Sequence, residues 1–109
     1  MTSFEARAAA VLLFCTAAGG PAVALEPNEQ RGQTFAQTNC AMCHAIGRHE
    51  KSQISEAPPF RTLHERYDVD DLKESFVEGI LTGHPSMPQW RLDPGQITDL
   101  LAYMKTLEH

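Results

Sequence analysis

Cys40-Ala41-Met42-Cys43-His44 sets two thiols three positions apart and an imidazole directly after the second. This is the C-x-x-C-H pattern of c-type haem attachment. Thiols at that spacing on one turn can add to the two vinyl groups of a haem, and the adjacent imidazole of His44 then falls beneath the iron as its proximal ligand. A thioredoxin-like dithiol would need a strand-to-helix setting within a βαβ unit, and the flanking sequence has none. A structural zinc site would need four ligands, and neither a second C-x-x-C nor an H-x-x-x-H is present. Cys40 and Cys43 are therefore expected to hold one haem c covalently, with a disulfide or redox couple as the remaining reading.

Upstream of the motif, Pro27-Asn28-Glu29 opens a predicted helix capped by Asn28 and running to about Thr38, with Gly32, Phe35 and Ala36 on one face. Downstream, Ala41 to Phe60 has no sustained period and contains Pro58-Pro59. A loop of about twenty residues without secondary structure is uncommon unless it wraps something. A short helical turn from Phe60 to Arg66 is followed by a helix from about Val69 to Thr82, on the spacing of Val69, Leu72, Phe76, Val77, Ile80 and Leu81. Asp68 caps its start and Gly83 closes its end. The last helix begins at Asp93-Pro94 and carries Ile97, Leu100, Leu101, Met104 and Leu107 on one stripe. No strand pattern stands out, so the fold class is all-α: three main helices plus a short turn around one haem.

An electron carrier that binds no outside molecule needs a sixth iron ligand, and a thioether suits because it stabilises ferrous iron. Met87 lies in Gly83-His84-Pro85-Ser86-Met87-Pro88, which two prolines keep out of helix. It is the expected ligand. His84, three residues earlier, competes for that role. Met104 belongs to a helical stripe and Met42 to the attachment turn, both as core filling. His49, His64 and His109 are expected to face solvent. The ring N–H of His44 needs a carbonyl acceptor, for which Pro58 is chosen. Trp90, Arg48 and Arg91 are the candidates for contact with the haem propionates.

The ends of the chain read differently from its middle. Arg7, the apolar run Ala8 to Ala18 and the small-residue pattern Ala22-Val23-Ala24 form a signal peptide over residues 1–24, cleaved after about Ala24. The run is too short to span a hydrocarbon core of roughly 20 helical residues. Residues 25–109 then form one domain, in which eight basic and thirteen acidic residues leave a net charge of −5. That balance argues against nucleic acid or anionic lipid as a partner and favours proteins with a basic or mixed face.

The N-terminal helix, C-A-M-C-H, the proline loop, the middle helix, G-H-P-S-M-P and the amphipathic last helix together resemble a class I c-type cytochrome of the small bacterial periplasmic kind, over residues 26–108. The resemblance implies a cytochrome c fold in which the first and last helices cross at Gly32, Phe35 and Tyr103. It implies thioethers at Cys40 and Cys43, iron ligation by His44 and Met87, and a histidine hydrogen bond to Pro58. Mitochondrial members of the family dock through a lysine-rich face, whereas this chain is acidic, so their partners are not expected to be its partners. The function expected is periplasmic one-electron transfer between redox proteins, without enzymatic turnover. The alternatives are a haem subunit of a periplasmic dehydrogenase, a haem peroxidase and a gas-binding protein.

Overall fold

A computed structural model describes residues 9–13, 24–82 and 84–109. Among them there are helices and no strands. Helix α1 spans Pro27–Asn39, a 3-10 turn covers Phe60–Glu65, a second 3-10 turn covers Val69–Asp71 and runs into α2 at Leu72–Glu78, and α3 spans Pro94–Thr106. The expected signal segment falls mostly outside the described residues. Of the part inside, Val11, Leu12 and Leu13 are exposed; Leu25, the first residue after the expected cleavage site, packs against the core.

Each helix starts where local chemistry satisfies its free amides. At α3 the Asp93 carboxylate accepts from the Gln96 N–H at 2.9 Å and the Gln96 side chain accepts from the Asp93 N–H at 3.2 Å, with Pro94 in the first turn. At α1 the start lies upstream of the expected Asn28. Pro27 occupies the first turn, where a missing N–H costs nothing, and Glu29 reaches back to accept from the Glu26 N–H at 3.3 Å. The third start is the tightest, because Asp68 accepts from Asp70 N–H two residues on, giving a 3-10 turn before α2 begins.

The middle helix is shorter than its periodicity predicts. Gly79 adopts φ +99°, a conformation that suits a residue without Cβ, and ends α2 there instead of at Gly83, which lies outside the described residues. The backbone then leaves the helix axis: Leu92 N–H donates to Phe76 O and Ile80 N–H to Trp90 O, both at 2.9 Å. Ile80 is consequently a half-buried residue of the loop base, and Leu81 is 80% exposed instead of continuing the apolar stripe.

The core forms where α1 crosses α3. A Cβ on Gly32 would clash with the Asp99 carbonyl and lie 2.8 Å from Tyr103 Cβ, so the helices touch backbone to backbone at this point. Ala36 follows one turn later, fully buried. The stripe Ile97, Leu100, Leu101, Met104 and Leu107 is buried along its whole length, against Phe60, Leu63, Val69, Leu72, Phe76 and Leu92. Two surface ion pairs flank it, Arg31–Asp99 at 2.9 Å and Lys105–Asp70 at 2.7 Å, of a kind that contributes at most about 1 kcal/mol each. Charge is uneven: residues 65–78 carry six acids against two bases.

Gly32→Val should lower stability by about 3 kcal/mol, the upper end for overpacking a close contact, because neither backbone can yield alone. A denaturant midpoint close to that of the parent would show that the crossing has room to open.

Candidate cofactor site

Helix α1 delivers the motif. Its last turn continues through Cys40, whose N–H donates to Ala36 O at 2.8 Å, and Cys43 and His44 N–H both turn back to Cys40 O at 3.1 and 2.9 Å. The two thiols therefore sit on one turn at the end of a helix clamped by the core. Cys40 is half-buried, and burial followed by the nearby charge of Cys43 pushes its thiol up to about 11. A dithiol catalyst needs the opposite, a thiolate stabilised at a helix N-terminus. Met42, expected to fill core, is 81% exposed: the turn that points both cysteines inward leaves the residue between them in solvent.

The long segment after the motif is irregular in backbone but closely braced. Ala45 N–H donates to Ser52 Oγ at 2.9 Å, Ile54 N–H to Cys43 O at 3.1 Å, and Phe60 N–H to Ala45 O at 2.9 Å. Tyr103, buried on α3, donates its hydroxyl to Ile46 O at 2.6 Å. Arg48 donates to the carbonyls of Thr106 and His109, tying the loop to the C-terminal end of α3. So held, the loop presents the Pro58 carbonyl to His44 Nδ1 at 2.8 Å. A carbonyl can only accept, so Nδ1 carries the proton and Nε2 is the ring atom free to bind a metal. Phe60 packs obliquely on the imidazole, with ring centroids 5.3 Å apart, and limits its rotation.

Met87 lies in the segment that Gly79 and the Ile80–Trp90 hydrogen bond redirect, and it lines the same cavity as His44. Its N–H donates to His84 O at 3.2 Å, and the His84 ring accepts from Ser86 N–H at 3.3 Å. That cavity, of about 620 Å³, is lined by Cys40, Cys43, His44, Met87 and a mostly apolar surround that includes Leu72 and Met104. Cofactor sites fall in the range of roughly 300–1,000 Å³. Trp90 and His84 also line it. His49, His64 and His109 are exposed and do not.

Two of the arginines proposed for propionate contact are not in this cavity. Arg48 is committed to the end of α3, and Arg91 donates to Glu78 O at 3.1 Å, completing the C-terminal turn of α2. Arg66 and Tyr67 line the wall instead, at the junction of the first 3-10 turn and the acidic segment. Neither is among the residues expected at the site from the sequence; the signal available was an arginine directly before an aromatic in a largely acidic stretch.

A helical chain with two thiols on one turn, an imidazole held by its Nδ1 and a thioether facing the same apolar cavity defines a covalent-haem protein of the electron-transfer class. The chain belongs to the cytochrome c family, whose family model matches residues 29–108. It is similar to a cytochrome c-553-like protein of Synechocystis sp., 32% identical over 85 residues, covering 78% of this chain and 74% of the relative. It is also similar to cytochrome c-552 of Bradyrhizobium diazoefficiens, 27% identical over 97 residues, covering 89% of this chain and 91% of the relative. No solved structure gives a match of comparable strength. The cofactor is accordingly one covalent haem c with its iron, and the chain is a haem-based electron carrier.

Tyr103→Phe leaves the buried Ile46 carbonyl without its donor and should cost about 1–3 kcal/mol. Burial raises the Tyr103 pKa above its usual 10.0, so the folded state holds that proton more tightly than the unfolded chain. Its contribution to stability is complete below pH 10 and is lost as pH rises through the raised value. The alkaline decline in stability, followed by denaturant titration at successive pH values, should be shallower in Tyr103→Phe than in the parent. An equal slope would remove Tyr103 from that linkage.

Proposed function

We propose that this chain is an exported carrier of single electrons in which Cys40 and Cys43 form the thioethers and His44 and Met87 are the axial ligands of the haem iron. The observation that carries this reading is that His44, its Nδ1 fixed by Pro58 O at 2.8 Å, and Met87 line the same cavity. Bound haem supplies one site that gains and loses an electron as its iron passes between ferrous and ferric.

The protein's part is to hold both ligands in place through that change. The Pro58 hydrogen bond selects the tautomer of His44 and raises the basicity of Nε2. The loop base at Ile80 and Trp90 holds the segment that carries Met87 to the cavity, and Leu72, Phe76, Leu100 and Met104 exclude water from the interior. A thioether in the sixth position raises the potential and leaves no open position for a substrate, which disfavours peroxidase chemistry and gas binding.

Export follows from the leader pattern: cleavage after about Ala24 would release residues 25–109 into the periplasm, with Leu25 already packed on the core. Among the described residues no helix is long and apolar enough to cross a membrane. The electron donor and acceptor are redox proteins with a basic or mixed contact surface, and nucleic acid is not a partner of a chain with net charge −5.

Coexpression with a haem-attachment system should yield a covalent low-spin haem with a far-red sulfur-to-iron band. Met87→Ala should lose that band and bind carbon monoxide when reduced. A wild-type haem that is high-spin and takes up cyanide or carbon monoxide rapidly at neutral pH would overturn the carrier assignment in favour of an enzyme or gas-binding protein. Co-purification with a dehydrogenase would identify a subunit in place of a free carrier.

A further inference from the structure

Met87 sits in a stretch whose hydrogen bonds are all local. Thr82 Oγ1 accepts from His84 N–H at 3.2 Å, the His84 ring from Ser86 N–H at 3.3 Å, and His84 O from Met87 N–H at 3.2 Å. Among the described residues no hydrogen bond or ion pair leaves 81–88 for the rest of the chain. Leu81, Thr82, His84, Pro85, Ser86 and Pro88 are exposed, and Met87 is half-buried. A surface loop of this kind takes its position from its own packing and from its two ends.

Those ends meet in a neck. Ile80 N–H donates to Trp90 O and Leu92 N–H to Phe76 O, both at 2.9 Å, and Ile80 and Trp90 pack half-buried against the core. The two sides run close together, since a Cβ on Gly79 would lie 2.8 Å from Gln89 Nε2. The third bond across the neck comes from a side chain: the Arg91 guanidinium donates to Glu78 O at 3.1 Å. That carbonyl belongs to the last residue of α2, where a helix leaves its acceptors without intrahelical partners. In register, the bond falls between the two backbone bonds. Arg91 is exposed and, among the described residues, makes no ion pair, so its guanidinium is given to this carbonyl.

We propose that Arg91 is the clasp of this neck and a positioning residue for Met87, setting how readily the thioether leaves the iron. The assignment rests on Met87 as an axial ligand and goes beyond it, because it names the residue that governs the ligand's release. Arg91 touches neither the thioether nor the cavity; it acts through the ends of the loop. With the neck closed, a detached Met87 stays confined beside its site, and an outside ligand competes against a high effective concentration of sulfur. Loosening the neck lowers that concentration and lets other molecules reach the sixth position.

The test is imidazole binding to the ferric holoprotein, followed by loss of the far-red sulfur-to-iron band, together with amide hydrogen exchange. Imidazole is used in its neutral form, so that a variant's lost charge does not bear on its approach. Arg91→Gln should raise the imidazole affinity by roughly fivefold, the scale of one net hydrogen bond. It should also speed exchange at the Ile80 and Leu92 amides while leaving Leu100 and Leu101 of α3 as in the parent. Lys73→Gln removes the same charge from the exposed face of α2 and should change neither readout. Equal effects from the two variants, or faster exchange spread evenly through α3, would assign the change to charge or to global stability and overturn the clasp. Should Arg91→Gln fail to mature, Arg91→Lys decides. Its ammonium keeps the charge but ends short of the Glu78 carbonyl, so imidazole should still bind roughly twofold or more tighter than to the parent. An affinity equal to the parent's overturns the proposal. A parent without the far-red band sinks Met87 ligation and the clasp together, whereas a parent with the band and an Arg91→Gln variant of unchanged imidazole affinity sink the clasp alone.

Discussion

The backbone contact between α1 and α3 at Gly32 is the constraint on which the other elements depend. Because no side chain stands between the helices there, the last turn of α1 is held against the core through Ala36, and Cys40 to His44 leave it in a fixed direction. The same α3 supplies Tyr103 to the Ile46 carbonyl and offers its terminal carbonyls to Arg48, so it also anchors the loop that carries Pro58. One helix crossing thus determines both where His44 emerges and what holds its ring.

A domain of about 85 residues buries a limited share of its surface, and this one gives part of its interior to a cavity. The apolar residues that would close a core in another small helical protein, among them Leu72, Phe76, Leu100 and Met104, face a space of about 620 Å³. Haem completes that core as well as supplying the redox centre. Ligand binding of this kind adds directly to folding stability.

Much of this arrangement was legible in the residues. Helix α3 could be read almost to the residue, because cap, first-turn proline and a five-member stripe all agree. The turn at Phe60–Glu65 was equally open to reading, whereas the crossing at Gly32 came only with the family resemblance. The extent of α2 was not: periodicity carried through Ile80 and Leu81, and only the backbone reveals that Gly79 takes the positive φ at which the helix ends. Of the site, the 40–44 motif and the segment around Met87 announce themselves by composition, and the structure brings them to one cavity. The arginines do not. Whether Arg48, Arg91 or Arg66 faces the cavity depends on which carbonyls lie within reach of each guanidinium, a tertiary fact with no periodic signature.

The acidic stretch at 65–78 has a consequence for how the molecule moves before it touches anything. Four of the five net negative charges arise from fourteen consecutive residues along one lip of the cavity, so the centre of charge is displaced from the centre of mass. Such a body has a permanent dipole and experiences a torque in any external field. Near a charged surface in dilute salt it turns before contact, while at an ionic strength of about 0.1 M, with a screening length near 10 Å, that rotation is confined to the last molecular diameter of approach.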